Sequence, residues 1–179
     1  MIELSDIFKM ACEDKTDINE HLPTLLKYGQ MVDRVTEFGV RGGCSTLTWW
    51  YANPKTLRCY DIVQCDTHDY LMSKAECANK SDYKFFKADV LKVEIEETDL
   101  LFIDTYHTYT QLSKELALHG NKSRRYLIFH DTVTFGTRGE DHRTPGIIAA
   151  INEFLWKNKH WSVEEVFTNN NGLLVLKRV

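Results

Sequence analysis

The chain has 179 residues and a net charge of −4, with 43% apolar and 27% charged residues. That length suits a single domain with a core of its own. The negative balance argues against an extended nucleic-acid surface, which needs concentrated positive charge; Arg124 and Arg125 form only a local basic patch. Five cysteines without a C-x-x-C pair argue against a disulfide framework or structural zinc, and for reduced thiols in a cytoplasmic setting. The N-terminus lacks the apolar core of a signal peptide, and no stretch reaches the roughly 18 apolar residues of a membrane span.

Residues 1–34 read as an N-terminal helical segment, because Leu4, Ile7, Phe8 and Ala11, and then Leu22, Leu25 and Leu26, recur at helical spacing. From 35 to 179, short apolar runs alternate with amphipathic stretches. Strands are predicted at Val35–Phe38, Leu57–Ile62, Tyr83–Phe86, Asp99–Ile103 and Tyr126–Phe129. Between them fall helices at Ser45–Tyr51, Asp66–Asn79 and Thr108–His119, the last with Gly120 as a left-handed stop. Pro145–Lys157 is a further helix with Pro145 in its first turn. Trp161–Phe167 and Leu173–Lys177 close the chain as a hairpin around Asn169–Gly172. This alternation implies one α/β domain: a Rossmann-like, mostly parallel seven-stranded sheet with an antiparallel C-terminal strand at its edge and helices on both faces.

Ligands of such sheets bind at the carboxyl ends of the strands, so those residues carry the functional reading. The first strand enters EFGVRGGCST, where Glu37 precedes Gly39, Gly43 and Ser45. The glycines permit positive φ and close approach of a cofactor, and the helix that follows offers free N–H groups. Arg41 breaks the G-x-G-x-x-G dinucleotide fingerprint. Asp61, with Ile62 beside it, stands about 20 residues after Gly39, the spacing at which an acid meets ribose hydroxyls. Asp89 and Val90 end the third strand, Asp104 the fourth, and His130, Asp131 and Thr132 the fifth. Adjacent strands lie about 4.8 Å apart, so Asp104 and Asp131 are close enough to share a cation such as magnesium.

The pattern E-x-G-x-x-x-G-x-S resembles the first motif of class I S-adenosylmethionine (SAM)-dependent methyltransferases. IDTYHTY, then FHDT, then PGI-x-x-AI-x-EFL resemble the small group around macrocin and sugar O-methyltransferases and cephalosporin hydroxylase-like proteins, over roughly residues 33–167. The resemblance implies SAM bound by Glu37, Gly39, Gly43, Ser45, Asp61, Ile62, Asp89, Val90 and Asp104. It also implies a divalent metal at Asp104, Asp131 and Thr132, although Thr132 stands where catechol-type sites carry Asn and HGNKSRR replaces a Pro-Gly-Gly turn.

The expected reaction is O-methylation of a small hydroxylated acceptor, of sugar or natural-product type. His107 is the first candidate for the base and His130 the second, since strand alternation turns it from the crevice. His119 and His160 read as surface residues. Arg138, His142 and Arg143, in the polar segment Thr134–Thr144, are candidates to bind an acidic or sugar substrate. Trp49, Trp50 and Tyr51 read as core or interface residues, with Trp50 or Tyr51 as alternatives for flanking the cofactor. The N-terminal helices either cover the site or make a homo-oligomer contact. The competing classes are an inactive cofactor-binding relative, which would not need Asp104 and Asp131, and a nucleotide-binding oxidoreductase, which Arg41 disfavours.

Overall fold

The computed structural model describes residues 3–64 and 81–179; the helix expected at 66–79 lies outside them. Two helices, α1 (Leu4–Glu13) and α2 (Leu22–Gly29), precede β1 (Arg34–Phe38), α3 (Cys44–Ala52), β2 (Thr56–Asp61), β3 (Asp82–Lys87) and β4 (Thr98–Ile103). Then come α4 (Tyr109–His119), β5 (Ser123–His130), α5 (Ile147–Lys157), β6 (Trp161–Phe167) and β7 (Leu173–Arg178). The seven strands form one sheet in the order β3-β2-β1-β4-β5-β7-β6. The first five strands run parallel, and β7 is antiparallel to both neighbours. The antiparallel strand is therefore not the edge: the hairpin inserts β7 against β5, which leaves β6 outermost.

Alternation along each strand supplies two apolar layers. Val35, Leu57, Leu100, Phe102, Ile128 and Val175 meet Leu22, Leu25, Tyr28 and Trp49 from α2 and α3. Phe38, Leu101, Ile103, Leu127, Phe129 and Leu176 meet Leu112, Leu116, Ile151 and Phe154 from α4 and α5. The three aromatics of α3 belong to the first layer. Trp49 is fully buried against Phe102, Trp50 packs on Tyr83, and Tyr51 stacks on Phe8. None of them lines the cavity described below, so the alternative of Trp50 or Tyr51 flanking a cofactor falls.

Three local expectations are corrected. Gly120 is right-handed (φ −54°), and the chain runs on into a short 3-10 turn. The glycine is needed there for space, because a Cβ would lie 2.7 Å from the Phe154 ring. Pro145 precedes the Gly146 cap of α5, and its carbonyl accepts from Tyr109 N (2.9 Å), tying α5 to the start of α4. His119 is buried against the Phe38 ring and pairs with Val90 O through Nε2 (2.8 Å), because the last turn of α4 faces the sheet. His160 is half-buried beside Asn121.

Candidate active site

The loops after β1, β2, β3, β4 and β5 enclose a cavity of about 1030 Å³ at the carboxyl edge of the sheet. Gly39, Asp61, Ile62, Asp89, Val90, Asp104, His107 and Asp131 all line it. Gly39 is held at φ +83°, and a Cβ there would lie 2.0 Å from Asp104 O, so β1 and β4 close together only through a glycine. Asp61 turns its Oδ2 back onto the glycine loop, accepting from Val40 N (2.8 Å) and Arg41 N (3.0 Å). Asp89 accepts from Leu91 N and pairs with Lys92.

Glu37, Gly43 and Ser45 do not line the cavity. Alternation puts Glu37 on the same face as Val35, beneath α3. There Ser45 Oγ (2.6 Å), Thr46 Oγ1 (2.5 Å) and Cys59 Sγ (3.1 Å) donate to its carboxylate. Burial pushes Glu37 up to about 7, against the downward pull of those three hydrogen bonds. Gly43, at φ 87°, caps α3 behind the loop. These residues hold the wall that Gly39 presents.

Asp104, His107 and Asp131 converge. His107 Nε2 lies 3.1 Å from Asp104 Oδ1 and 3.1 Å from Asp131 Oδ2, and its Nδ1 is 3.0 Å from Glu140 Oε2. The imidazole stacks on Phe135. Burial works to lower the His107 pKa, but the hydrogen bond it donates to Asp104 and the charges of Asp104 and Asp131 raise it to about 9. Burial would likewise raise Asp104, yet hydrogen bonds from His107 and His130 hold it well below the usual carboxylate range. Asp131 goes the other way: burial raises it and the two histidines only partly compensate. Its backbone is left-handed (φ 59°), and its Oδ1 is buried with no hydrogen-bond partner among the described residues.

That orphaned oxygen makes a metal fit here. One ligand atom each from Asp104, His107 and Asp131 lie within 4.8 Å of one another; the two carboxylates are hard oxygen donors of the kind magnesium takes, and the imidazole is a borderline nitrogen donor. Thr132 does not line the cavity; its buried Oγ1, also without a hydrogen-bond partner among the described residues, lies beside the β6–β7 turn, where a Cβ on Gly172 would be 2.8 Å away. His130 is turned from the cavity, sharing its strand face with Ile128. Its Nδ1 reaches Asp104 Oδ1 (3.3 Å) and its Nε2 pairs with Asp17 O (3.0 Å).

The substrate residues expected in the 134–144 loop lie outside the cavity wall. Arg138 holds His142 O through Nε (2.9 Å) and Nη2 (2.6 Å), and neither these two nor Arg143 lines the cavity. The loop instead offers Glu140 and Phe135. Sequence reasoning also missed Asp17, Tyr106, Gln111 and Asn171 on the wall. Asp17 arrives because the segment after α1 is pinned to the β6–β7 turn. Asn170 Nδ2 donates to Thr16 O, Glu20 N donates to Asn170 Oδ1, and His21 Nε2 pairs with Asn169 O. No local pattern in the sequence signals these contacts. Arg41, seen in the sequence only as breaking the dinucleotide fingerprint, bridges to Asp17 Oδ2 (2.6 Å).

No family model and no curated protein matches this sequence. Solved structures do. The O-methyltransferase TomG from Streptomyces achromogenes, in complex with SAM, is similar over 100% of this chain and 91% of its own, at 13% identity and a TM-score of 0.69. Magnesium protoporphyrin IX methyltransferase from Synechocystis, with bound SAM, matches over 98% and 91%, at 12% identity and a TM-score of 0.69. The O-methyltransferase from Bacillus cereus, in complex with SAH, matches over 98% and 90%, at 14% identity and a TM-score of 0.67. The chain thus has the Rossmann-like fold of the SAM-dependent methyltransferases.

Proposed function

We propose that this chain is a SAM-dependent methyltransferase acting on a hydroxyl of a small acceptor, with a divalent cation, of which magnesium is the candidate. One observation carries the reading: a single cavity joins the cofactor-type positions Gly39, Asp61 and Asp89 to the carboxylate–imidazole cluster of Asp104, His107 and Asp131. SAM and SAH in the structural neighbours support the cofactor. An oxidoreductase reading finds no comparable support.

The residues have separable tasks. Gly39 lets the cofactor approach the backbone, and Asp61, fixed by the loop amides, is the partner for ribose hydroxyls. Asp89, Val90 and Ile62, on the same cavity wall, are the candidates to meet the adenine. SAM supplies an electrophilic sulfonium methyl, so the acceptor oxygen gains a C–O bond as the S–C bond breaks, leaving SAH and a proton. The protein's part is positioning and removal of that proton. His107 is the proton acceptor through Nε2, with Glu140 orienting the ring at Nδ1, provided that a cation takes up the Asp104 and Asp131 carboxylates that otherwise hold Nε2. A divalent cation held by Asp104 and Asp131 would favour the ionised acceptor and relieve His107 of the charges that make it keep its own proton. Among the described residues, the free thiols Cys12, Cys44 and Cys59 accord with a cytoplasmic setting.

Asp131→Asn and His107→Ala test the division of labour. Each is expected to lower kcat by about 100-fold or more while SAM affinity, read by calorimetry, stays within about threefold. Full turnover in both variants would remove this cluster from the chemistry.

A further inference from the structure

The charges on the cavity wall also speak to the acceptor. Four carboxylates surround the acceptor side: Asp104 and Asp131 at its floor, Asp17 from the N-terminal segment and Glu140 from the loop after β5. Among the described residues, the cations on that wall are Arg41 and His107, and both are already matched. Arg41 Nη1 lies 2.6 Å from Asp17 Oδ2, and His107 meets three carboxylates within 3.1 Å. An anionic group entering here finds no uncommitted cation. Asp17 and Glu140 are the partners in those same pairs, but each is engaged through one oxygen only, Asp17 through Oδ2 and Glu140 through Oε2, and each side chain keeps 41% exposure. A cationic group can therefore join Asp17 Oδ1 and Glu140 Oε1 without displacing Arg41 or His107, beside the half-exposed ring of Tyr106 at the mouth, a surface that attracts ammonium groups.

From this arrangement we infer that the acceptor carries a protonated amine near its reacting hydroxyl, and that Asp17 and Glu140 are the residues that select it. The inference rests on the methyltransferase reading and narrows its substrate to an amino alcohol or a phenol that carries an aliphatic amine. Arg41 is the natural challenge to it. An exposed ion pair is worth only about 0–1 kcal/mol, so an acidic acceptor gains if it takes Arg41 from Asp17, and the experiment must be able to show that.

The test uses two catechols whose side chains carry opposite charge, dopamine and 3,4-dihydroxybenzoate, with the full chain, SAM and magnesium. We expect kcat/KM for dopamine to exceed that for dihydroxybenzoate by about tenfold or more, a difference of roughly 1.4 kcal/mol. In the double variant Asp17→Asn, Glu140→Gln, which keeps side-chain size and one acceptor oxygen at each position and removes two charges, the ratio falls below about threefold. The fall comes through KM for dopamine. A purely structural effect would instead lower both acceptors alike. A ratio near one in the parent, a preference for dihydroxybenzoate, or a ratio unchanged in the variant overturns the inference. So does bound SAM with neither catechol methylated. Absence of SAM binding brings down the methyltransferase reading itself and is seen separately, by calorimetry.

Discussion

Glu37 and Glu115 are carboxyls with no exposure to solvent, each held by hydroxyl, thiol or amide donors and each pushed by burial up to about 7. Glu115 Oε1 accepts from Thr105 Oγ1 (2.7 Å) and Gln111 Nε2 (2.8 Å), which braces the segment that carries His107. Because the folded pKa lies above the unfolded one, the native state binds more protons between these values. Stability from these groups is present below about pH 4.5 and is lost as pH rises toward 7. For Glu37 the loss is roughly 3 kcal/mol. Glu37→Gln removes the titration and keeps an acceptor for Ser45 or Thr46. Urea denaturation at pH 5 and pH 7.5 is expected to show a smaller fall in stability for the variant than for the parent; a parallel fall would mean that Glu37 is not a buried neutral acid. An acidic residue before the glycine loop was visible in the sequence, but its direction was not. Strand parity turns Glu37 under α3, while Gly39, two positions on, leaves the strand and reaches the cavity.

The elements show why some contacts are legible and others are not. Period-two burial and helical spacing give β1 to β7 and the five described helices, with ends displaced by up to three residues, because apolar periodicity is a local property. Gly120 and His119 were misread because their environment is Phe154 and Val90, supplied by distant chain. The wall formed by residues 14–21 is the clearest case: its anchors on the β6–β7 turn lie about 150 positions away in sequence. Asn170 carries two of those anchors from a left-handed backbone (φ 41°), so Asn170→Gly removes the side chain without adding strain. Loss of two hydrogen bonds predicts a destabilisation of about 1–2 kcal/mol. Hydrogen exchange is expected to quicken at residues 15–21 and to stay unchanged in β1, β4 and β5. Uniform quickening would show that the turn supports the whole sheet rather than this wall.

At the scale of the whole molecule, the strand order brings five loops to one edge and makes Gly39, Asp61, Asp89, Asp104 and Asp131 neighbours although they are spread over nearly a hundred positions. That convergence was legible, since each acid or glycine follows an apolar run. The acceptor side was not, because Asp17, Glu140 and Asn171 come from segments whose positions are set only by packing. The central claim is that the edge holds SAM, and calorimetric titration of the full chain with SAM and with NAD tests it most directly. We expect one-to-one binding of SAM, no binding of NAD, and affinity for SAM reduced about tenfold or more in Asp61→Ala. No heat with SAM, binding of NAD in its place, or full affinity in Asp61→Ala would contradict it.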